Sequence, residues 1–285
     1  MSKGFFTIAQ GEKYQRLAYA MALSLKLSQK EHSGLSIGVT KKELKKVPKK
    51  YKAVFDQVVE IPWDDHAKNS EWKLENEWKA IHMTPYDETI KLDADMFFPR
   101  DISGWWTALE RSEGVFATKA HTYSGELITS DFYRKTFTES KLPNIYTAMF
   151  YFKKTEVNYE LFRTAEFVFN NWERCFYEFL GSEHRPTYFS TDVAFAIAAK
   201  IMDYEQYNQL PHTGVPTFVH MKSQLQGWID NEYMKEDWTK MIPYSFNNDC
   251  DLKLGNYLQT LPVHYHVKEF MTDKMIEQME RKLGV

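Results

Sequence analysis

Apolar and polar residues alternate with two different periods in the first 120 residues of the chain. Short apolar runs predict strands over residues 4–9, 35–39, 58–61, 89–92 and 115–120. Apolar residues spaced three or four apart predict helices over residues 12–30, 70–83 and about 101–111, the last one capped by Asp101 or Ser103. This alternation predicts an α/β fold in which a mixed, mostly parallel sheet is flanked by helices.

The pattern changes after about residue 120. It predicts a strand over residues 146–152, helices over 155–180, 191–202 and 272–283, and irregular structure over 203–262. No internal repeat or low-complexity linker separates the two parts of the chain. We therefore expect one domain over residues 1–285, with a first half to about residue 120 and a second half that elaborates it.

Composition narrows the class of protein. The 285 residues are 43% hydrophobic, enough for one large core, and the net charge of −3 gives no global field that would attract nucleic acid. Cys175 and Cys250 form neither a metal-binding pattern nor a disulfide framework. With no signal-like N-terminus and no apolar window of membrane-spanning length, the sequence predicts a cytoplasmic protein.

The clearest chemical signal is the segment TIKLDADMFFP at residues 89–99. A buried strand ends at Asp93 and Asp95, which are separated only by Ala94, and apolar residues follow at once. Two carboxylates against apolar surface are costly unless they are paired, and a divalent cation bound to a phosphate would pair them. The alternative is an ordinary aspartate-rich turn. Ligands of parallel sheets bind at the carboxyl ends of strands, which favours the site.

Several segments then resemble the GT-A-fold glycosyltransferases. Residues 84–98 (TPYDETIKLDADMFF) resemble the segment in which that family places its metal-binding and nucleotide-sugar-binding Asp-x-Asp. Residues 6–26 look like the family's first strand, nucleotide-binding turn and first helix, and residues 144–153 like its acceptor-side strand. Residues 218–228 (FVHMKSQLQGW) are similar to the late His-x-x-Gly-x-Lys-Pro-Trp segment of glycogenin-like members, without its Gly and Pro.

The resemblance implies a metal-dependent enzyme that moves a sugar from a nucleotide-diphosphate sugar, UDP-linked, to an acceptor hydroxyl. The implied metal ligands are Asp93, Asp95 and His220. The implied contacts with the nucleotide sugar are made by Ala9, Gln10, Tyr14, Lys79, Asp93, Ala94 and Lys222. One imidazole among the ligands favours manganese, although magnesium would also serve.

Some of these residues have alternative interpretations. His220 is either a metal ligand or a core histidine, and its rivals are His264 and His266 in PVHYHVKEF, whose spacing places both imidazoles on one face of a strand. Asp192 is either a catalytic carboxylate beside the sugar or acceptor, or a residue that complements the helix macrodipole. Tyr14 and Lys79 are either ligand contacts or ordinary helix surface.

The run from Lys41 to Lys52 (KKELKKVPKKYK) holds seven lysines and one glutamate. It is either a solvated loop or a surface for backbone phosphates. Together with the signal-less sequence, it resembles phage-encoded transferases that glycosylate hydroxymethylated bases, such as hydroxymethylcytosine, in DNA, which implies duplex DNA as acceptor and the host cytoplasm as location. The alternatives are a protein or saccharide acceptor, or a nucleotide-sugar-binding module without turnover.

Overall fold

The computed structural model describes residues 1–31, 33–71, 73–128, 134–204, 214–221 and 237–285. The strands are β1 Lys3–Ile8, β2 Gly34–Val39, β3 Gln57–Glu60, β4 Glu88–Leu92, β5 Met96–Phe97, β6 Gly114–Ala117, β7 Lys119–His121, β8 Tyr146–Lys153, β9 Thr217–His220, β10 Tyr244–Phe246, β11 Leu252–Leu254, β12 Tyr257–Leu258 and β13 Val263–His264. The helices are α1 Glu12–Ser28, α2 Lys41–Leu44, α3 Lys49–Lys52, α4 Ala80–Met83, α5 Trp105–Leu109, α6 Lys135–Glu139, α7 Glu156–Asn170, α8 Trp172–Phe179, α9 Thr191–Ile201, α10 Trp238–Met241 and α11 Asp273–Leu283.

Within the described residues, the central sheet has the strand order β3-β2-β1-β4-β8-β6. Strands β3, β2, β1 and β4 are parallel, whereas β8 runs antiparallel to both of its neighbours. A second sheet has the order β5-β13-β9-β7, and a small antiparallel sheet contains β10, β11 and β12. The predicted fold class is therefore confirmed: a mixed, mainly parallel sheet is flanked by helices.

Two apolar cores lie on opposite faces of the central sheet. Successive strand residues point to opposite faces, and the neighbours Phe5 and Phe6 accordingly belong to different buried clusters. Helix α1 packs in the first cluster, and helices α7 and α9 pack in the second. No helix among the described residues is long and apolar enough to cross a bilayer.

The predicted helix over residues 70–83 is mostly wrong. Only a 3₁₀ turn at Glu77–Lys79 and the short helix α4 are helical in this part of the chain. Lys73 has a positive φ of 58°, which is incompatible with a helix interior. Asn76 is buried and its side-chain amide donates to Gln10 and to Asp65, so this segment is organised by side-chain hydrogen bonds.

Other predicted boundaries also change. The helix predicted over 155–180 is interrupted at Asn171, which has a φ of −129° and whose side-chain amide donates to the carbonyl of Phe167. Helix α5 begins only after Gly104, although Asp101 accepts from the backbone N–H of Ser103. The strand predicted over 115–120 divides into β6 and β7, which belong to different sheets. The segment 203–262, predicted to be irregular, contributes strands β9 to β12 and helix α10.

Candidate active site

A cavity of about 670 Å³ opens at the carboxyl ends of β1 and β4 and the adjacent start of β8. Both halves of the chain line it. The candidate residues from the sequence that line it are Gln10, Tyr14, Asp93, Ala94, Asp95, Asp192, His220, His264 and His266. This is the edge of the sheet at which parallel α/β proteins bind ligands.

Asp93 and Asp95 lie in the turn that carries the chain from one sheet to the other. Strand β4 of the central sheet ends at Leu92, and β5 of the second sheet begins at Met96. The backbone N–H of Asp93 still donates to the carbonyl of Ala148 in β8, at 2.9 Å. Asp95 is buried and Asp93 is half-buried at the cavity wall.

His264 is the imidazole that completes a cluster with these aspartates. Its Nε2 lies 3.2 Å from Oδ2 of Asp95 and 3.8 Å from Oδ2 of Asp93. Among the described residues, one ligand atom from each of Asp93, Asp95 and His264 can be chosen so that all lie within 4.8 Å of one another. Two carboxylates and a neutral imidazole are a donor set that a divalent transition metal accepts, so the residues fit the expected ion.

His220 lies one strand further from the aspartates than expected. Strand β13 lies between β5 and β9, and its register places His264 beside Met96 on one side and His220 on the other. The Nδ1 atoms of His220 and His264 are 3.2 Å apart, so His220 contacts the ligand cluster through His264. Of these two histidines, both of which the sequence offers as ligands, His264 therefore lies nearer the aspartates, and the assignment of the metal-binding imidazole stays a prediction.

Lys268 is a positive charge at the same cluster that the sequence interpretation missed. It follows β13 in a 3₁₀ turn at Lys268–Phe270, and its ammonium contacts Oδ2 of Asp95. Burial alone would raise the pKa of the Asp95 carboxyl, but Lys268 and His264 outweigh burial and hold that pKa well below its usual value. Asp95 is therefore ionised and already paired, and a metal ion must compete with Lys268 for its oxygen.

Asp93 also has an ammonium partner, because Lys91 forms an ion pair with it. This lysine is buried in β4, and its Nζ lies 2.7 Å from Asp93 and 2.5 Å from Glu77. Burial raises the pKa of Glu77 to about 7, with Lys91 acting against burial and Asp93 acting with it. A charged residue at an inward position of an apolar strand, as in TIKLD, is the sequence signal that indicates this network.

Asp192 lies in the first turn of α9, whose N-cap is Ser190. Its Oδ1 accepts from the backbone N–H of Thr147 at 2.8 Å and from the Thr147 hydroxyl at 2.7 Å. Its Oδ2 accepts from Arg134 at 2.7 Å. A carboxylate held by three donors is fixed in orientation, and its remaining lone pairs can accept a hydrogen bond from a ligand hydroxyl.

The turn after β1 supplies another part of the cavity wall. The Gln10 side chain lines the cavity, donates to Asp65 at 2.9 Å and accepts from Asn76 at 2.7 Å. Ala9 does not line the cavity, and its N–H donates to the carbonyl of Gly38. Tyr14 is half-buried, and its ring centroid lies 5.8 Å from the Lys268 ammonium.

The two lysines expected to contact phosphate are Lys79, which does not line this cavity, and Lys222. Lys79 is fully buried away from this cavity and donates to the carbonyls of Pro62 and Asp64, so it holds a loop instead of a ligand. Lys222 lies outside the described residues. β13 ends at His264 and His266 has a φ of 52°, but His266 also lines the cavity and its ring centroid lies 5.8 Å from that of His264.

The lysine run forms helices α2 and α3 on the protein surface. Most of its lysines are exposed, and none lines the cavity. Lys50 pairs with Glu280 at 3.0 Å. Glu43, the one acidic residue of the run, accepts from the N–H of Gly11, where a φ of 85° favours glycine. The run therefore borders the turn after β1 without entering the cavity.

Comparisons with known proteins give weak structural similarities. Mouse xyloside xylosyltransferase 1, in its apo form, is similar with a TM-score of 0.45 and 9% sequence identity, over 73% of this chain and 84% of that chain. The apo structure of the bifunctional glycosyltransferase WbbM is similar with a TM-score of 0.36 and 11% identity, over 58% of this chain and 34% of that chain. No protein-family model matches the sequence, and no curated protein matches it. The assignment of function therefore rests on the site itself.

Proposed function

We propose that the protein is a metal-dependent glycosyltransferase that uses a nucleotide-diphosphate sugar. The observation that carries the proposal is the convergence of Asp93, Asp95, His264 and Lys268 at one end of a 670 Å³ cavity. Once the three metal-ligating groups hold a cation, that cation and the neighbouring ammonium of Lys268 together provide positive charge for a diphosphate. The sequence resemblance of residues 84–98 to GT-A-fold enzymes supports the same reaction.

Asp93, Asp95 and His264 would hold the ion, for which manganese is the proposed choice because of the imidazole. When bound, the ion would supply Lewis-acid stabilisation of the departing diphosphate. Lys268 stands next to these ligands and adds a second positive charge to the same part of the cavity. Lys91 fixes the orientation of Asp93 through its ion pair.

Two other groups of residues that line the cavity have separate proposed roles. Gln10, Tyr14 and Ala94 would contact the nucleoside, which is taken as uridine, and the ring of Tyr14 offers a stacking surface. Asp192, held by Thr147 and Arg134, would accept hydrogen bonds from sugar or acceptor hydroxyls. Because both halves of the chain line one cavity, we propose that they form one catalytic domain.

A thermal-shift screen of nucleotide sugars, with and without manganese, tests this proposal. A ligand present at about a hundred times its dissociation constant should add about 2.7 kcal/mol of apparent stability. We expect stabilisation by one nucleotide sugar that requires manganese and disappears with a chelator. Release of free nucleotide from that sugar would distinguish an enzyme from a binding module. Absence of stabilisation by every nucleotide sugar would contradict the proposal.

The proposed acceptor is a hydroxymethylated base, such as hydroxymethylcytosine, in duplex DNA. The exposed lysines of α2, α3 and the turn between them support it, because such a surface neutralises backbone phosphates irrespective of sequence. A saccharide or protein hydroxyl is the alternative. Failure to modify hydroxymethylated DNA with any nucleotide sugar that binds would exclude the DNA acceptor and leave the donor proposal intact.

Neutralising the lysine run provides a sharper test of the DNA interaction. We expect Lys→Gln changes at Lys42, Lys45, Lys46 and Lys49 to weaken DNA binding and to flatten the logarithmic salt dependence by roughly 0.9 for each phosphate that is no longer neutralised. Lys50 is left in place because it pairs with Glu280. A charge-matched control carries Lys→Gln changes at four exposed lysines elsewhere, Lys30, Lys141, Lys253 and Lys274. Equal salt slopes for the two variants would show that the lysine run does not contact the DNA phosphates.

A further inference from the structure

A second cavity, of about 360 Å³, lies beyond the site described above. It is bounded by the loop after β3, by α4 with the 3₁₀ turn before it, and by α7. Aromatic rings and carboxylates share its wall, which includes Trp63, Asp64, Trp78, His82, Tyr159 and Glu166. Among the residues that the structure describes, none lines both this cavity and the 670 Å³ cavity.

Trp63 is a large indole that is exposed yet held in place. Its side chain is 65% exposed, although the ring stacks on the buried Trp78 with centroids 5.6 Å apart and an interplanar angle of 8°. His82 meets it edge-on at 5.1 Å. One face of the indole is therefore packed against protein, while much of the remaining ring surface faces solvent. The indole therefore offers an apolar surface on which a ligand can stack.

The backbone under this indole is fixed by a buried charge. Trp63 has a positive φ of 58°, which a bulky residue adopts only when its surroundings require it. The fully buried Lys79 donates to the carbonyls of Pro62 and Asp64, the two neighbours of Trp63. These two hydrogen bonds fix the backbone on both sides of the indole.

The polar groups of the cavity select among ligands that stack on an indole. The carboxylates of Asp64 and Glu166 can accept hydrogen bonds, and Arg163, which also pairs with Glu160, has further N–H groups to donate, a combination that suits neighbouring hydroxyl groups. The two carboxylates repel a phosphate and so disfavour a nucleotide. Trp63 and Trp78 are parallel and stacked, so they offer one flat surface and do not form the box of rings that encloses a quaternary ammonium.

We propose that this second cavity binds a pyranose ring of a saccharide, stacked on Trp63 and hydrogen-bonded by Asp64, Arg163 and Glu166. This inference does not depend on the proposed transferase activity, because no residue of the metal cluster takes part. If the protein also transfers sugar, the cavity gives it a place to hold a glycan chain away from the reacting atoms.

Affinity electrophoresis in native gels tests the inference with defined probes: soluble glycogen, xylan, mannan and mixed-linkage glucan. We expect at least one polymer to retard the parent protein, with about tenfold weaker retardation for Trp63→Ala because the stacking ring is absent from that variant. Tyr177→Ala is the matched control, since Tyr177 is 67% exposed on α8 outside the cavity. Glu166→Gln, which keeps the side-chain volume, should weaken retardation to a smaller extent.

Two further measurements separate this inference from other outcomes. Circular dichroism should show that Trp63→Ala is folded, and its manganese binding should equal that of the parent. The inference is overturned if no polymer retards the parent, or if Trp63→Ala is retarded equally. It is also overturned if tetramethylammonium, and none of the polymers, binds in a manner that requires Trp63, which would identify the site as a cation cage.

Discussion

Replacing Asp95 with asparagine is expected to abolish manganese-dependent binding of the nucleotide sugar and to destabilise the metal-free protein. Without the Asp95 charge, the ammonium of Lys268 is left without its partner carboxylate in a mostly buried position. Removing one member of a buried ion pair costs about 3 kcal/mol of unfolding free energy. Urea denaturation in the presence of a chelator measures this loss, and calorimetric titration measures metal binding.

Sequence alone predicts the opposite sign for stability, because two neighbouring carboxylates should repel each other and gain from losing a charge. Asp93→Asn is the matched control. It also loses metal binding, but Lys91 keeps its ion pair with Glu77, so the loss of stability should be smaller. The double variant Asp95→Asn/Lys268→Met should recover stability and still fail to bind metal. An Asp95→Asn protein as stable as the parent would contradict the ion-pair account, and retained manganese binding would refute the metal site.

The second large effect concerns the two histidines at the core of the second sheet. We expect His264→Ala to weaken manganese binding by about a hundredfold or more and His220→Ala by about tenfold. The reason is geometric: His264 lies 3.2 Å from Asp95, whereas His220 reaches the cluster through the ring of His264. Manganese titration followed by electron paramagnetic resonance measures the free ion directly and needs no activity.

His121→Ala is the control for this pair, because His121 lies in β7 of the same sheet and does not line the cavity. Its manganese affinity should match that of the parent. A larger decrease for His220→Ala than for His264→Ala would restore the sequence-based choice of His220 as the ligand. Equal affinities for all three variants would remove imidazole from the metal site.

The sequence could predict the aspartates because their signal is local. A buried strand that ends in Asp93 and Asp95 needs no knowledge of distant contacts, and the alternation of strands and helices locates that end at the edge of the sheet. The central sheet was predictable for the same reason. The class of fold and the position of the carboxylates therefore follow from pattern alone.

The choice between His220 and His264 required the register of three strands. Both histidines follow apolar residues in sequences typical of strands, and only the order β5-β13-β9 shows which of them adjoins the aspartates. The position of Lys79 likewise depends on contacts that the local sequence does not show. Its partners are two carbonyls more than a dozen residues earlier in the chain, and no periodicity reports that it is buried. The positions of the histidines and of Lys79 both depend on pairing between segments that are distant in the sequence.

The turn that carries Asp93 and Asp95 between the sheets also bears on the order in which this protein can assemble. His264 and Asp95 are 169 positions apart in sequence, so their contact can form only long after Asp95 has been synthesised. A nascent chain that has produced Asp93 and Asp95 but not β13 has Lys91 as a partner for Asp93, whereas Asp95 is without His264 and Lys268. The cluster consequently forms only when β13 has docked against β5, and its chemistry arises at that step.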